Sequence, residues 1–240
     1  FGALLLTACG LPAASTPTPT ATPQPTATPT PAPGTFYVTT EDGVTLSVKP
    51  FGQGATAVVL SAEDDTEGLV WETLAQQLAA HGYLALTYDY RGVGASQGFY
   101  VAGKVDQDVR AVIKAARARG ATRIVLVGAS LGGLVTAKVA LTEHPVAMVI
   151  LSAPISFAGF SLTADDMRAT TWPKLVVASQ GDGQFAHDAQ QIYDGMPQPK
   201  ELKIYPGISH GTNIVDHPAT QPDFLARFFA FMASYAPANG

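Results

Sequence analysis

Two serines in this chain sit in nearly identical pentapeptides, GASQG over residues 94–98 and GASLG over 128–132. Glycines two positions either side of a serine leave room for a turn sharp enough to expose its hydroxyl, so either stretch can present a nucleophile. A hydroxyl reacts only when a neutral imidazole takes its proton, and a carboxylate must fix that imidazole's tautomer. Five histidines, His81, His144, His187, His210 and His217, are available as the base. The flanks separate the two serines. RIVLV runs directly into GASLG and a helical pattern resumes at Leu131, so Ser130 stands on an abrupt strand-to-helix turn. The N–H of Leu131 then points at the site as an oxyanion donor, where the helix dipole favours negative charge. Ser96 lies instead in DYRGVGASQGF, a loop whose glycines are explained by turns needing φ > 0.

The elements that must hold these residues read clearly. TFYVTT and TLSVKP form two short strands around the turn at Glu41, Asp42 and Gly43. AVVLS (57–61), LALTY (84–88), RIVLV (123–127), AMVILS (147–152) and KLVVAS (174–179) are largely apolar runs of the kind buried on both faces, and ELKIYP (201–206) completes the strand pattern. Between them, helical spacing recurs over 69–81, 105–116, 131–141, 188–196 and 223–235. Strands alternating with helices predict a mainly parallel, twisted α/β sheet of about eight strands flanked by helices. Ligands bind beyond the carboxyl ends of such strands. His210, in YPGISHGTN just past one of these strands, lies at that edge. His81 and His144 fall at helix C-termini; His187 is expected before a helix and His217 on the approach to the last one.

GASLGG after a buried strand resembles the nucleophile elbow of the α/β-hydrolase superfamily, and DYRGVGASQG resembles that superfamily's D-x-R-G-x-G-x-S loop. The resemblance runs from about residue 35 to 235 and is nearest to small esterase-like and dienelactone-hydrolase-like members with little or no cap. The latter often carry Cys where this chain has Ser130. It implies Ser130 as nucleophile, His210 as base and Asp182 as the orienting acid, in the superfamily's chain order. Asp182 matches a G-x-x-D loop whose first position is here Ser179; Asp188 is the alternative, though it reads equally well as a helix-capping or first-turn acid. The superfamily's second oxyanion donor usually follows an HG element. Here the loop reads Ser61-Ala62-Glu63-Asp64-Asp65-Thr66-Glu67-Gly68; a backbone N–H donates from almost any residue, so Ala62 or Glu63 can serve. The four carboxylates of that loop are expected to turn to solvent. Only residues 155–173 separate two successive strands at the usual site of cap insertion.

Composition sets the remaining limits. The chain has 240 residues, 47% hydrophobic content and a net charge of −5 without a basic run, which supports a full core and argues against nucleic-acid binding. Its one cysteine, Cys9, allows no intrachain disulfide. FGALLLTACG ends in Leu6-Thr7-Ala8-Cys9, which resembles the lipobox of bacterial lipoproteins, so residues 1–9 read as a truncated signal ending at a lipidated Cys9. Residues 10–34 are almost entirely Pro, Thr, Ala and Ser, a composition expected to stay disordered as an extended spacer. Residues 35–240 form the α/β-hydrolase domain. The expected activity is cleavage of carboxylic esters, with thioesters and amides open to the same chemistry, through an acyl-enzyme without cofactor or metal. Its partner is a small acyl substrate, and membrane contact comes only through an extracytoplasmic lipid anchor. Two other readings use the same scaffold: a tethered non-catalytic binding protein, and an acyltransferase or perhydrolase.

Overall fold

The computed structural model describes residues 1–2 and 34–239; Cys9 and residues 10–33 of the expected spacer lie outside the described residues. The first hairpin places β1 (Phe36–Thr39) antiparallel to β2 (Thr45–Phe51) around the Glu41-Asp42-Gly43 turn. Next come β3 (Thr56–Ser61), α1 (Glu72–Ala80), β4 (Leu84–Tyr88), α2 (Val105–Ala118), β5 (Arg123–Ala129), α3 (Leu131–Glu143) and β6 (Ala147–Leu151). A two-stranded hairpin, β7 (Ser156–Phe157) with β8 (Phe160–Ser161), and the six-residue α4 (Ala164–Ala169) are all that separates β6 from β9 (Lys174–Ser179). The chain closes with α5 (Gln184–Gly195), β10 (Lys200–Tyr205), α6 (Asn213–Asp216) and α7 (Gln221–Tyr235).

The eight-stranded sheet has the order β1-β2-β4-β3-β5-β6-β9-β10, antiparallel at β1–β2–β4 and parallel thereafter. Strands β3, β4, β6 and β9 are buried at every position, which is why they read as unbroken apolar runs rather than alternating ones. From β3 the chain first builds outward to β4, then returns to lay β5 on the opposite side of β3. That reversal opens a crevice beyond the carboxyl ends of β3 and β5. Helix α3 is apolar on nearly all sides because it lies against β5 and β6 beneath α2. Among the described residues no helix is long and apolar enough to cross a membrane.

One boundary differs from the sequence reading by a full helical turn, the others by three residues or fewer. The helix expected from residue 188 begins a full turn earlier, at Gln184, because Phe185, Ala189 and Ile192 carry its apolar stripe and Gly183 takes a positive φ of 52° at its start. Asp188 is therefore in the second turn, neither a cap nor a first-turn acid, and His187 lies within the helix rather than before it.

Candidate active site

Ser130 follows β5 and immediately precedes α3, with φ 51° and ψ −122°, a conformation that L-residues hold only when their surroundings impose it. The surroundings here are two close crossings. A Cβ at Gly128 would drive into the backbone of Gly132, and a Cβ at Gly132 would drive into the carbonyls of Ser61 and Ala62. The two glycines thus let α3 start directly over the end of β3, bringing the 62–63 segment beside the elbow. Leu131 is the first residue of α3, so its N–H is one that the helix leaves without an intrahelical acceptor. The Ala62 side chain is buried and its carbonyl accepts the Tyr90 hydroxyl at 3.3 Å.

Ser96 has a different occupation. Its hydroxyl donates to the Asp89 carbonyl at 2.6 Å and accepts the Ser47 N–H at 2.9 Å, stitching the glycine loop to β2. Both hydrogen-bonding roles are thereby spent on the fold. In the same loop, buried Arg91 is held by Asp108 at 2.7 Å and Asp42 at 2.8 Å, an ion-pair network with no outlet to the cleft. The Arg91 guanidinium beside Asp42 holds that carboxyl well below the usual carboxylate range.

Asp182 and His210 come together beyond β9 and β10. Nδ1 of His210 lies 3.0 Å from each carboxylate oxygen of Asp182, an acceptor pair that favours the tautomer carrying its proton on Nδ1 and its lone pair on Nε2. Asp182 is buried while His210 remains about one-third exposed, so the carboxylate is shielded and the imidazole accessible. Asp188 points elsewhere and accepts the Ile155 N–H at 3.2 Å. Among the described residues Ser130 Oγ has no hydrogen-bond partner, His210 included. Phe185 connects the two sides: its ring packs against His210 with centroids 4.4 Å apart. It also lines, with Asp64, Ser130, Pro154, Phe157 and Gln184, a cleft of about 250 Å³.

Other residues of this neighbourhood escaped the sequence reading. The Glu63 carboxylate accepts both the N–H and the hydroxyl of Thr212, at 2.6 and 2.7 Å, two residues beyond His210. Asp64 accepts the Tyr100 hydroxyl, and burial together with that carboxylate pushes the Tyr100 phenol well above its ordinary range. Only Asp65 and Glu67 of the four carboxylates are exposed, so the expected solvated cluster is half right: its first two members tie loops together. Ser152, buried with φ 46°, accepts the Gly211 N–H at 3.1 Å. No local pattern marks these contacts, since Glu63 and Thr212 are 149 positions apart. Among the described residues, no group of three or more His, Cys, Asp or Glu is placed to hold a metal ion.

The mostly parallel sheet, the β3/β5 crevice and a serine on a left-handed strand-to-helix turn define the α/β-hydrolase fold. The comparisons agree. An α/β hydrolase from Penicillium sp. sh18 superposes with a TM-score of 0.71 at 18% identity over 84% of this chain and 98% of its own. An esterase from Pyrococcus furiosus gives 0.71 at 20% identity, covering 84% of this chain and 92% of that one. A hydrolase from Pseudomonas aeruginosa gives 0.71 at 18%, covering 84% and 99%. The family model described as serine aminopeptidase, S33, matches residues 65–160, from the acidic loop through the elbow to the β7–β8 hairpin. A curated relative, the pimeloyl-(acyl-carrier protein) methyl ester esterase of Aeromonas salmonicida (strain A449), is 31% identical over 170 residues, 62% of this chain and 63% of the relative. The matched region thus spans under two thirds of that relative's length.

Proposed function

We propose that the protein is a serine hydrolase that cleaves carboxylic esters through an acyl-enzyme. The observation that carries this reading is the Asp182–His210 pair at 3.0 Å, joined through Phe185 to the cleft that opens on the strained Ser130 turn. In the proposed cycle, Nε2 of His210 takes the Ser130 proton as Oγ attacks the ester carbonyl. The negative oxygen that forms is met by the N–H of Leu131 and that of Ala62 or Glu63. His210 then protonates the departing alcohol, and water attacks the acyl-enzyme with the same histidine as base. Asp182 holds the Nδ1–H tautomer and stabilises the imidazolium of each transition state. The family description supports hydrolysis by a serine, and the esterases among the similar proteins favour an ester as substrate.

A fluorophosphonate probe tests this directly. Labelling is expected in the wild type and in Ser96→Ala but not in Ser130→Ala, with ester turnover of Ser130→Ala reduced about 10⁴–10⁶-fold. An unlabelled wild type would instead favour a tethered binding protein on this scaffold.

A further inference from the structure

We propose that the Glu63 side chain is a positioning residue that ties the oxyanion loop to the histidine loop, so that the oxyanion donor and the base are held as one unit. The inference rests on the serine-hydrolase reading and goes beyond it, because it gives a task to a carboxylate for which the triad has no use. A carboxylate so near a developing oxyanion opposes catalysis unless its charge is taken up elsewhere. Here one oxygen, Oε1, receives two hydrogen bonds from a single residue, Thr212, at 2.6 and 2.7 Å. Bonds to an ionised acceptor are the strong class of hydrogen bond, and their short lengths fit that class.

The adjoining residue is shaped for this contact. Gly211 has φ 52°, and a Cβ there would drive into the Glu63 carboxylate. Its N–H is in turn held by the buried Ser152 hydroxyl at 3.1 Å. The loop that carries His210 is therefore gripped at three consecutive residues: the imidazole by Asp182, Gly211 by Ser152 and Thr212 by Glu63. Of these grips, Glu63 alone comes from the segment that supplies a candidate oxyanion N–H. Loosening it lets the base drift relative to the oxyanion pocket, an error of the kind that lowers turnover without weakening binding.

The test exploits the fact that side-chain substitutions leave the backbone N–H of residue 63 in place. Glu63→Ala is expected to lower kcat on a soluble phenyl ester about 10–100-fold with KM changed less than about threefold. Glu63→Gln keeps an acceptor oxygen and is expected to recover kcat to within about fivefold of wild type. Thr212→Val, which keeps the backbone N–H and loses the hydroxyl, is expected to fall between them, and adding it to Glu63→Ala should cost little more. Equal kcat for Glu63→Ala and wild type overturns the proposal. So does an equal loss in the Ala and Gln variants, which would assign the effect to charge alone. Should Glu63→Ala not fold, wild-type kcat in Thr212→Val is sufficient to overturn it. Fluorophosphonate labelling of the wild type keeps this outcome separate from the hydrolase reading: no labelling removes that reading, whereas labelling with an unaffected kcat removes only the role of Glu63.

Discussion

Asp182 and Asp188 lie six positions apart and do opposite kinds of work. Asp182 is buried against the imidazole, where its charge fixes which ring nitrogen carries the proton, while Asp188 holds a backbone N–H at the start of the β7–β8 segment. Asp182→Asn is expected to lower kcat about 10²–10⁴-fold by permitting the wrong tautomer. Asp188→Asn still presents an acceptor oxygen and should stay within about threefold of wild type. Steady-state kinetics on one ester distinguishes the two, and near wild-type turnover in Asp182→Asn would sink the assignment of the acid. The positions of Ser130, Asp182 and His210 beyond the ends of β5, β9 and β10 were legible, because the strands before them could be read from the sequence. The side-chain contacts of Glu63, Ser152, Thr212 and Tyr100 were not, because they exist only after loops remote in sequence meet.

Among the elements, β9 holds a buried charge at its first residue, Lys174. Lys174 is fully buried, donating from Nζ to the carbonyls of Thr170 at 2.9 Å and Pro197 at 2.7 Å. Burial, with a smaller contribution from the charge of Lys200, brings its ammonium down to about 8 from an ordinary 10.5. Between those values the unfolded chain binds the proton more tightly, so stability rises as pH climbs from 8 toward 10. The gain approaches about 3 kcal/mol at its limit. Above pH 10 the buried tyrosines Tyr88, Tyr90 and Tyr205, all shifted upward, reverse the trend. Melting temperature should therefore increase between pH 7.5 and 9.5 in the wild type and increase less in Lys174→Met; parallel curves would refute the assignment. The strand itself was plain from KLVVAS. That its first residue lies inside the protein was not, because lysine at a strand end is ordinarily a surface residue. The early start of α5 was hidden by a similar ambiguity, since Gly181-Asp182-Gly183 reads as an extended loop until Phe185 is seen to pack on His210.

For the whole molecule, the mainly parallel sheet and its helical flanks were legible in the alternation of runs, the strand order was not, and the N-terminal reading lies outside the described residues. We propose that Cys9 carries lipid and that residues 10–34 hold the hydrolase domain away from a bacterial membrane. Metabolic labelling with an alkyne fatty acid should mark the wild type and spare Cys9→Ala, with the domain moving from membrane to soluble fraction; labelling retained in Cys9→Ala would dismiss the anchor. Such a tether concentrates the enzyme where acyl compounds partition, without committing the fold to any one of them. The short β7–β8 hairpin supplies Phe157 to the wall of the cleft at Ser130, and only the six-residue α4 stands between that hairpin and β9. On the proposed reading, so short a connection leaves room for water to reach the acyl-enzyme, which favours hydrolysis of the intermediate over its transfer.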